Sequence, residues 1–176
     1  MKVRTRFGSP ADARRIAEMI RDLKQHVDIA ENKRPIHWSV EKIKNHVLHR
    51  LGKPDRYSYL VACLGQDIIG VIEAHYRTKK RLYLMKGFVE SAFRRRGVMR
   101  SLEEKLVSHA TARKVSEIEL EVRTGNKEGM ATWESLGYKA IKTIESKTSS
   151  KKIMRKSVGT DSVQYAERES DTGIAV

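Results

Sequence analysis

The stretch LYLMKGFVESAFRRRGVMR, residues 82–100, decides the fold of this protein. Its first part, Leu82 to Val89, has strand character, and a helix-like run from Val98 to Lys114 follows. Gly97, in the arginine-rich turn between them, lets the backbone come close to a ligand. Because the first N–H groups of a helix lack internal partners and carry partial positive charge, the turn is suited to bind phosphate or pyrophosphate. Taken alone, it is equally compatible with a solvated arginine cluster, since its spacing is not that of a P-loop or a dinucleotide fingerprint.

A second block lies downstream, with LEVR at residues 120–123, Asn126, and WESLGY at residues 133–138. Together the two blocks resemble the GNAT superfamily of N-acetyltransferases. In that superfamily a valine at a strand end is followed five residues later by an Arg/Gln-x-x-Gly-x-Gly/Ala turn, as Val89 is followed here by the turn at residues 94–99. The second block is similar to the branch that acetylates protein N-termini, including the bacterial enzymes for ribosomal proteins.

The resemblance implies an α/β fold with a mixed, largely antiparallel sheet that splays in its centre and is flanked by about four helices. It also implies acetyl-CoA as the acetyl donor. The backbone of Gly87 to Val89 would pair with the pantetheine arm, the N–H of Val89 would serve as the oxyanion donor, and the turn would hold the pyrophosphate. The cofactor-binding residues implied in this way are Gly87, Phe88, Val89, Arg94, Arg95, Arg96, Gly97, Val98, Met99, Arg100 and Asn126.

Two positions depart from the family pattern. Met99 stands where the family has glycine or alanine, but a flexible methionine can point into the core while its N–H faces outward. Trp133 stands where similar enzymes carry a tyrosine that protonates the departing thiolate, and an indole N–H cannot do this. Another acid, such as Tyr138 or Tyr83, could replace it, or the thiolate could leave unaided. Trp133 itself could pack against the pantetheine or form core with Met130.

Glu121 is the candidate general base, because it matches the glutamate of the family's Leu-Glu-Val-Arg motif. The alternative is that Glu117, Glu119 and Glu121 form the solvent face of one strand, since they alternate with apolar residues. Glu73 and His75 are reserve candidates for the base. Asn126 is expected to cap the following helix as well as to contact the cofactor.

The pattern along the chain also predicts secondary structure: a strand, two helices, three strands, a helix, a strand, a helix and two strands, an order typical of a mixed α/β sheet. Ser9 and Ser39 are predicted to cap the first two helices, with a loop from Asp28 to Trp38 between them. The predicted elements are strands at 3–7, 57–64, 68–76, 82–89, 117–122, 138–146 and 152–158, and helices that begin after Ser9, Ser39, Gly97 and Asn126.

Composition limits the class of protein. The 176 residues form one predicted domain, residues 1–158, with a flexible tail at 159–176. A single cysteine excludes an internal disulfide, and no Cys/His cluster has metal-site spacing, so no metal is expected. No membrane span or signal peptide is apparent, which favours a cytoplasmic location. The net charge of +14 suggests a solvated basic surface or contact with a ribosome or nucleic acid.

The sequence thus predicts an acetyl-CoA-dependent N-acetyltransferase that acts on a primary amine, with a protein N-terminus as the expected acceptor. By resemblance the acceptor lies between the loop Asp28–Trp38, which contains His37, and the final hairpin at Lys147–Lys152. Acetylation of a small amine or a lysine side chain is one alternative. Another alternative is a catalytically weak acetyl-CoA-binding module that binds to a ribosome or nucleic acid.

Overall fold

A computed structural model describes residues 2–31, 33–34, 37–145 and 150–159 of the chain. The order of elements within these residues is the predicted one. The strands are β1 (Arg4–Phe7), β2 (Tyr57–Leu64), β3 (Asp67–Tyr76), β4 (Arg81–Val89), β5 (Glu117–Arg123), β6 (Lys139–Glu145) and β7 (Ser150–Ser157). The helices are α1 (Ala13–Ala30), α2 (Val40–Leu51), α3 (Val98–Ala112) and α4 (Lys127–Ser135). All of the predicted tail except Gly159 lies outside the described residues, as does part of the final hairpin turn.

The start of α1 follows the signal read from the sequence. Asp12 accepts hydrogen bonds from the backbone N–H of Ser9 at 2.7 Å and from its hydroxyl at 2.8 Å. Arg6 pairs with the same carboxylate at 2.7 Å and is the main reason why the pKa of Asp12 lies well below its usual range. The predicted cap at Ser9 is confirmed only for the 3-10 turn Pro10–Asp12 that precedes the α-helix, whereas the N-cap of α1 itself is Asp12.

The end of α1 differs from the prediction. The loop was expected to begin at Asp28, but α1 continues to Ala30, and the N–H of Glu31 donates to the carbonyl of Val27 at 3.1 Å. The end of the helix packs on Gly125, where an added Cβ would lie 3.2 Å from the carbonyl oxygen of Ala30. Because this contact comes from a distant loop, the local sequence pattern does not reveal it.

The strands form one sheet in the order β1-β2-β3-β4-β5-β7-β6. Neighbouring strands are antiparallel except β4 and β5, which are parallel and pair only from Arg81 to Leu84 with Glu117 to Leu120. Beyond these pairs the two strands separate, so the predicted central splay is confirmed. Met85 is an extra residue in β4, because Leu84 lies opposite Ala74 while Lys86 lies opposite Glu73. This bulge changes which face of the sheet the following side chains occupy.

Buried residues form two clusters on opposite faces of the sheet, since alternate residues of one strand belong to different clusters. Leu60 packs with the face covered by α3, whereas Val61 packs with the face covered by α1 and α2. After the bulge, Phe88 belongs to the α1 cluster and Gly87 faces the other side, against Trp133. The point at which β4 separates from β5 therefore has the α1 cluster on one face of the sheet and Trp133 on the other.

The glutamates of β5 do not form a solvent face. Glu119 is only 5% exposed, and it pairs with Arg77 at 3.1 Å and with Arg155 at 3.0 Å. Glu117 is half-buried and pairs with Arg81 and Arg155. Because β5 lies inside the sheet, Glu117 and Glu119 are covered by arginines from the neighbouring strands β4 and β7 and from the turn between β3 and β4. The alternative interpretation of these residues as a solvated strand face is wrong.

Candidate active site

A cleft of about 1000 Å³ opens where β4 and β5 separate. The last paired residues are Leu84 and Leu120, and beyond them the facing edges of the two strands have no strand partner. An extended ligand can bind such edges by backbone hydrogen bonds, as an added strand does. All of the residues predicted to bind cofactor or to act in catalysis line this cleft, with the single exception of Arg96.

The backbone of Val89 is oriented toward the cleft. Glu90 donates its N–H to the carbonyl of Ile69 on β3 at 3.1 Å. Because successive peptide groups of a strand point to opposite edges, the N–H of Val89 points away from β3. The Val89 carbonyl agrees with this orientation, since it accepts a hydrogen bond from Nε of Arg94 at 3.0 Å on that side. The predicted oxyanion donor thus lies at the open edge of β4.

The turn before α3 has the backbone shape of an anion site. Arg95 and Gly97 adopt left-handed φ angles of 57° and 78°, and Gly97 is the N-cap of α3. An ideal Cβ added at Gly97 would have no neighbouring atom within 4 Å, so there is space for a ligand. The first N–H groups of α3, from Val98 to Arg100, have no partner within the helix. This arrangement fits a diphosphate.

Arg94 is held by the protein itself. Its guanidinium bonds to the carbonyl of Val89 and pairs with Glu128 at 3.1 Å. Glu128 lies in the first turn of α4, and it also approaches Nε2 of His26 on α1 at 3.6 Å. Arg94 therefore connects β4 to α4 across the mouth of the cleft. The sequence alone did not indicate a role for Glu128.

Trp133 forms one wall of the cleft. The side chain is 7% exposed and meets the ring of Tyr138 edge-on, with 5.5 Å between ring centroids. A Cβ added at Gly87 would lie 2.9 Å from Cζ2 of Trp133 and 3.2 Å from Cε of Met99. Glycine at position 87 therefore allows the indole to lie directly against β4. Met99 packs against the core, as was predicted for a methionine at this position of the turn.

The predicted cap at Asn126 is confirmed, because its Oδ1 accepts a hydrogen bond from the N–H of Gly129 at 2.9 Å. The approach is close enough that a Cβ on Gly129 would lie 2.6 Å from Nδ2 of Asn126. Asn126 and Gly129 both line the cleft. The amide group is thus positioned at the end of β5 by the helix that it caps.

Glu121 lies on the wall of the cleft formed by β5. Its Oε2 accepts a hydrogen bond from Nζ of Lys151 at 2.5 Å. Tyr83 lies nearby on β4, and burial, followed by the charge of Glu121, raises the pKa of its phenol to about 12. Glu121 therefore has two polar neighbours, Lys151 and Tyr83, and lies beyond the last pair of β4 and β5.

The reserve groups are placed less favourably. Glu73 is fully buried between Arg50 and Lys86, and His75 stacks on Tyr57 with 4.9 Å between centroids. Neither Glu73 nor His75 lines the cleft. Tyr138 does not line it either, and burial raises the pKa of its phenol above the usual range.

The other half of the cleft is lined by the second half of α1 and by Trp38. Nζ of Lys24 lies 3.6 Å from the centroid of the Trp38 ring. Arg123 at the end of β5 approaches Glu31 at 3.8 Å, so the end of α1 reaches across the splay. His37 is exposed and does not line the cleft. Lys24 and Lys86 were not identified from the sequence, although a lysine inside the apolar run of β4 was a signal for the second.

No group of three or more His, Cys, Asp or Glu side chains in the described ranges is arranged to hold a metal ion. Among the helices of the same residues, none is both long enough and apolar enough to cross a membrane.

Several solved structures share this fold. PaiA N-acetyltransferase from Thermoplasma acidophilum, in complex with coenzyme A, has 17% identity and a TM-score of 0.73, covering 89% of this chain and 99% of that one. The ribosomal-protein-S18-alanine N-acetyltransferase from Escherichia coli has 18% identity and a TM-score of 0.68, with coverage of 90% and 96%. Spermidine N-acetyltransferase from Vibrio cholerae, in complex with CoA and spermine, has 14% identity and a TM-score of 0.69, with coverage of 89% and 95%. At these identities the similarity shows the fold alone, and no curated protein matches the chain significantly.

The chain, with its splayed sheet and the glycine turn at the start of α3, shares the overall fold of these solved N-acetyltransferases. The family model for the acetyltransferase (GNAT) family matches residues 19–138, and the chain therefore belongs to that family. GNAT enzymes take the acetyl group from acetyl-CoA and transfer it to an amine. The predicted class, fold and donor are thus confirmed.

Proposed function

We propose that this enzyme acetylates the α-amine of a protein N-terminus, with Glu121 as the general base. The observation that carries the proposal is the position of Glu121, which lies on β5 just beyond the splay and lines the same cleft as Val89. The residues LEVR at 120–123, which resemble the branch of the family that acts on protein N-termini, support this choice of acceptor.

The donor fits the cleft through backbone groups. Acetyl-CoA, when bound, supplies the acetyl group as a thioester. Residues 95–100 would hold its pyrophosphate through backbone N–H groups, and the free edge at Gly87 to Val89 would pair with its pantetheine arm. The N–H of Val89 would donate to the carbonyl oxygen of the acetyl group as negative charge develops there.

The side chains then handle the protons. Glu121 accepts a proton from the acceptor ammonium, directly or through a water molecule, so that the amine can attack. As the N–C bond forms and the C–S bond breaks, the second proton of the amine nitrogen would pass to solvent. The sulfur would leave as a thiolate, whose usual pKa of about 8.5 allows it to depart unprotonated near neutral pH. Trp133 contributes shape rather than a proton, since its N–H is a hydrogen-bond donor only.

The test of this assignment is Glu121→Gln, with Glu117→Gln as the matched control. Both glutamates lie on the same face of β5, but only Glu121 lines the cleft. We expect Glu121→Gln to lower kcat by about 10²–10⁴-fold while the Kd for acetyl-CoA, measured by calorimetry, stays the same. Glu117→Gln should retain turnover. Wild-type turnover in Glu121→Gln would remove Glu121 from the mechanism.

The acceptor is tested with three matched substrates. These are a peptide with a free α-amine and no lysine, the same peptide with a blocked N-terminus and one internal lysine, and spermidine. The proposal requires the highest kcat/KM on the free α-amine. A preference for the lysine peptide or for spermidine would replace a protein N-terminus with one of these amines as the acceptor.

A second candidate function is a catalytically weak acetyl-CoA-binding module that contacts nucleic acid or a ribosome. A groove of about 510 Å³ supports it, because Lys79, Lys80, Arg113 and Lys114 line this groove with only one carboxylate, that of Asp55. Fluorescence anisotropy with labelled RNA tests the idea. Lys79→Glu/Lys80→Glu should weaken binding far more than Lys139→Glu/Lys142→Glu, which changes the net charge equally on exposed positions of β6. Equal weakening by both pairs would indicate general charge attraction instead of a site.

A further inference from the structure

The acceptor half of the cleft contains two lysines, Lys24 on α1 and Lys86 on β4. Among the described residues, no carboxylate lies within ion-pair distance of Lys24, and its ammonium rests on the ring of Trp38 at 3.6 Å. A half-buried ammonium that lies over an aromatic ring and forms no ion pair with the residues that the structure describes is an unusual arrangement for lysine, which is generally exposed or paired. It indicates a position where a negatively charged group can bind.

Lys86, the second lysine, has a carboxylate partner, but it shares that carboxylate with an arginine. It donates to Oε2 of Glu73 at 2.5 Å, and Arg50 pairs with the other oxygen of the same carboxylate. Two carboxylates, the fully buried Glu73 and Asp28 of the cleft wall, therefore act on three cations, Arg50, Lys86 and Lys24, so the cations of this cluster outnumber its carboxylates. Burial, followed by the charge of Lys86, lowers the pKa of Lys24, although Asp28 and Glu73 act in the opposite direction. A bound anion would offset the free-energy cost of keeping the half-buried ammonium of Lys24 charged.

The cluster lies on the acceptor side of the sheet. Lys86 pairs with Glu73 and precedes Phe88, which packs in the α1 cluster, whereas α3 covers the opposite face. The phosphates of the donor would bind at the start of α3, so they are not the anion that would bind to Lys24 and Lys86. Lys86 comes three residues before Val89, a separation of about 10 Å along a strand.

We propose that Lys24 and Lys86 form an anion-binding subsite that takes the carboxylate of an acidic side chain at the first or second residue of the acceptor peptide. The proposal rests on the proposed function and deepens it, since it names the class of N-terminus that is preferred. An extended chain advances about 3.3–3.6 Å per residue, so a side chain at either position can bridge the distance between the amine and the subsite. The carboxylate replaces solvent as the partner of Lys24, and no covalent step is involved.

The experiment compares peptides that differ only by Glu or Gln at the first position, and a second pair that differs in the same way at the second position. The wild-type enzyme should show kcat/KM about tenfold higher for the Glu member of at least one pair, which is the size of one charge-assisted hydrogen bond. Lys24→Met should reduce this ratio to about two or less, and Lys24→Glu should reverse it in favour of the Gln member of the pair. Lys42→Met, an exposed position on α2, should keep the wild-type ratio.

Lys24 is the primary position for substitution because it forms no ion pair with any described residue, whereas Lys86→Met would remove one of the two cations paired with Glu73. Circular dichroism and the Kd for acetyl-CoA verify that each variant is folded. If the wild-type enzyme acetylates all four peptides but with equal kcat/KM within each pair, the subsite is wrong and the proposed function stands. If no N-terminal peptide is acetylated while spermidine or the lysine peptide is, both proposals are overturned.

Discussion

Gly97→Asp is the most direct test of the turn before α3. The φ angle of 78° at Gly97 belongs to the left-handed region, and an added Cβ would have no neighbour within 4 Å. Asp and Asn are the residues other than glycine that adopt this region most readily. The substitution should therefore leave the turn folded and place a carboxylate at the site proposed for the pyrophosphate.

The expected loss of affinity follows from Coulomb's law. A carboxylate about 5 Å from one phosphate charge, at an effective dielectric constant of about 40, is repelled by about 1.7 kcal/mol. The second phosphate lies farther away and salt screens its contribution, so a total of about 2 kcal/mol is reasonable. This corresponds to about a thirtyfold increase in the Kd for acetyl-CoA.

Calorimetric titration measures the effect, with Gly97→Asn as the control. Asn has nearly the shape and backbone preference of Asp but no charge, so its Kd should stay within about threefold of wild type. Acetyl-pantetheine, which lacks the pyrophosphate, should bind both variants equally. The difference between Asp and Asn should also shrink at high salt. If Gly97→Asp and Gly97→Asn bind acetyl-CoA with the same Kd, the turn does not hold the phosphates.

Three further predictions concern the walls of the cleft. Gly87→Ala should lower the free energy of unfolding by about 1–3 kcal/mol, because the methyl group would lie 2.9 Å from the indole of Trp133, and urea unfolding should show a smaller loss when Trp133→Phe is also present. Trp133→Tyr should raise kcat at saturating acetyl-CoA, by at most about 10²–10⁴-fold, because a phenol can protonate the leaving thiolate. Tyr83 should titrate in ultraviolet difference spectra against Tyr83→Phe with a pKa of about 12, and Glu121→Gln should lower that pKa. Since the folded pKa exceeds the unfolded value of about 10, the contribution of Tyr83 to stability is complete below pH 10 and falls as the pH rises from about 10 to 12.

Each of these predictions has an outcome that contradicts it. An equal loss of stability from Gly87→Ala with and without Trp133→Phe would mean that the indole is not the obstacle. A kcat no higher in Trp133→Tyr would mean that the thiolate leaves without an acid in this cleft. An unchanged pKa of Tyr83 in Glu121→Gln would exclude contact between the phenol and that carboxylate.

The sequence determined where most elements lie. The predicted bounds of β2, Tyr57 to Leu64, are those of the structure, and Gly137 ends the segment after α4 with a φ of 87°. These features depend on local causes, namely the period of apolar residues and the freedom of glycine to adopt positive φ, so they can be read from neighbouring residues. The predicted cofactor-binding and catalytic residues line the cleft with Arg96 as the one exception, because the family resemblance locates them by spacing, whereas Lys24, Lys86 and Glu128 of the same lining were not predicted.

Only the tertiary structure decided which side chains meet. The sequence places Glu117, Glu119 and Glu121 on one face of β5, but the arginines and the lysine that cover them come from the turn between β3 and β4, from β4 and from β7. Likewise, the local sequence of α1 does not predict that the end of this helix packs on Gly125 or that Lys24 comes close to Lys86.

The physical reason lies in the range of the interactions. Strand period and helix caps act over a few residues, whereas the pairing of β4 with β3 and β5 joins segments that are far apart in the chain. The bulge at Met85 arises from that pairing, and it directs Lys86 toward α1 and leaves Gly87 against Trp133. The sequence by itself therefore determined an acetyltransferase fold and predicted a donor site, while the charge and shape of the half of the cleft lined by α1 were decided by long-range packing.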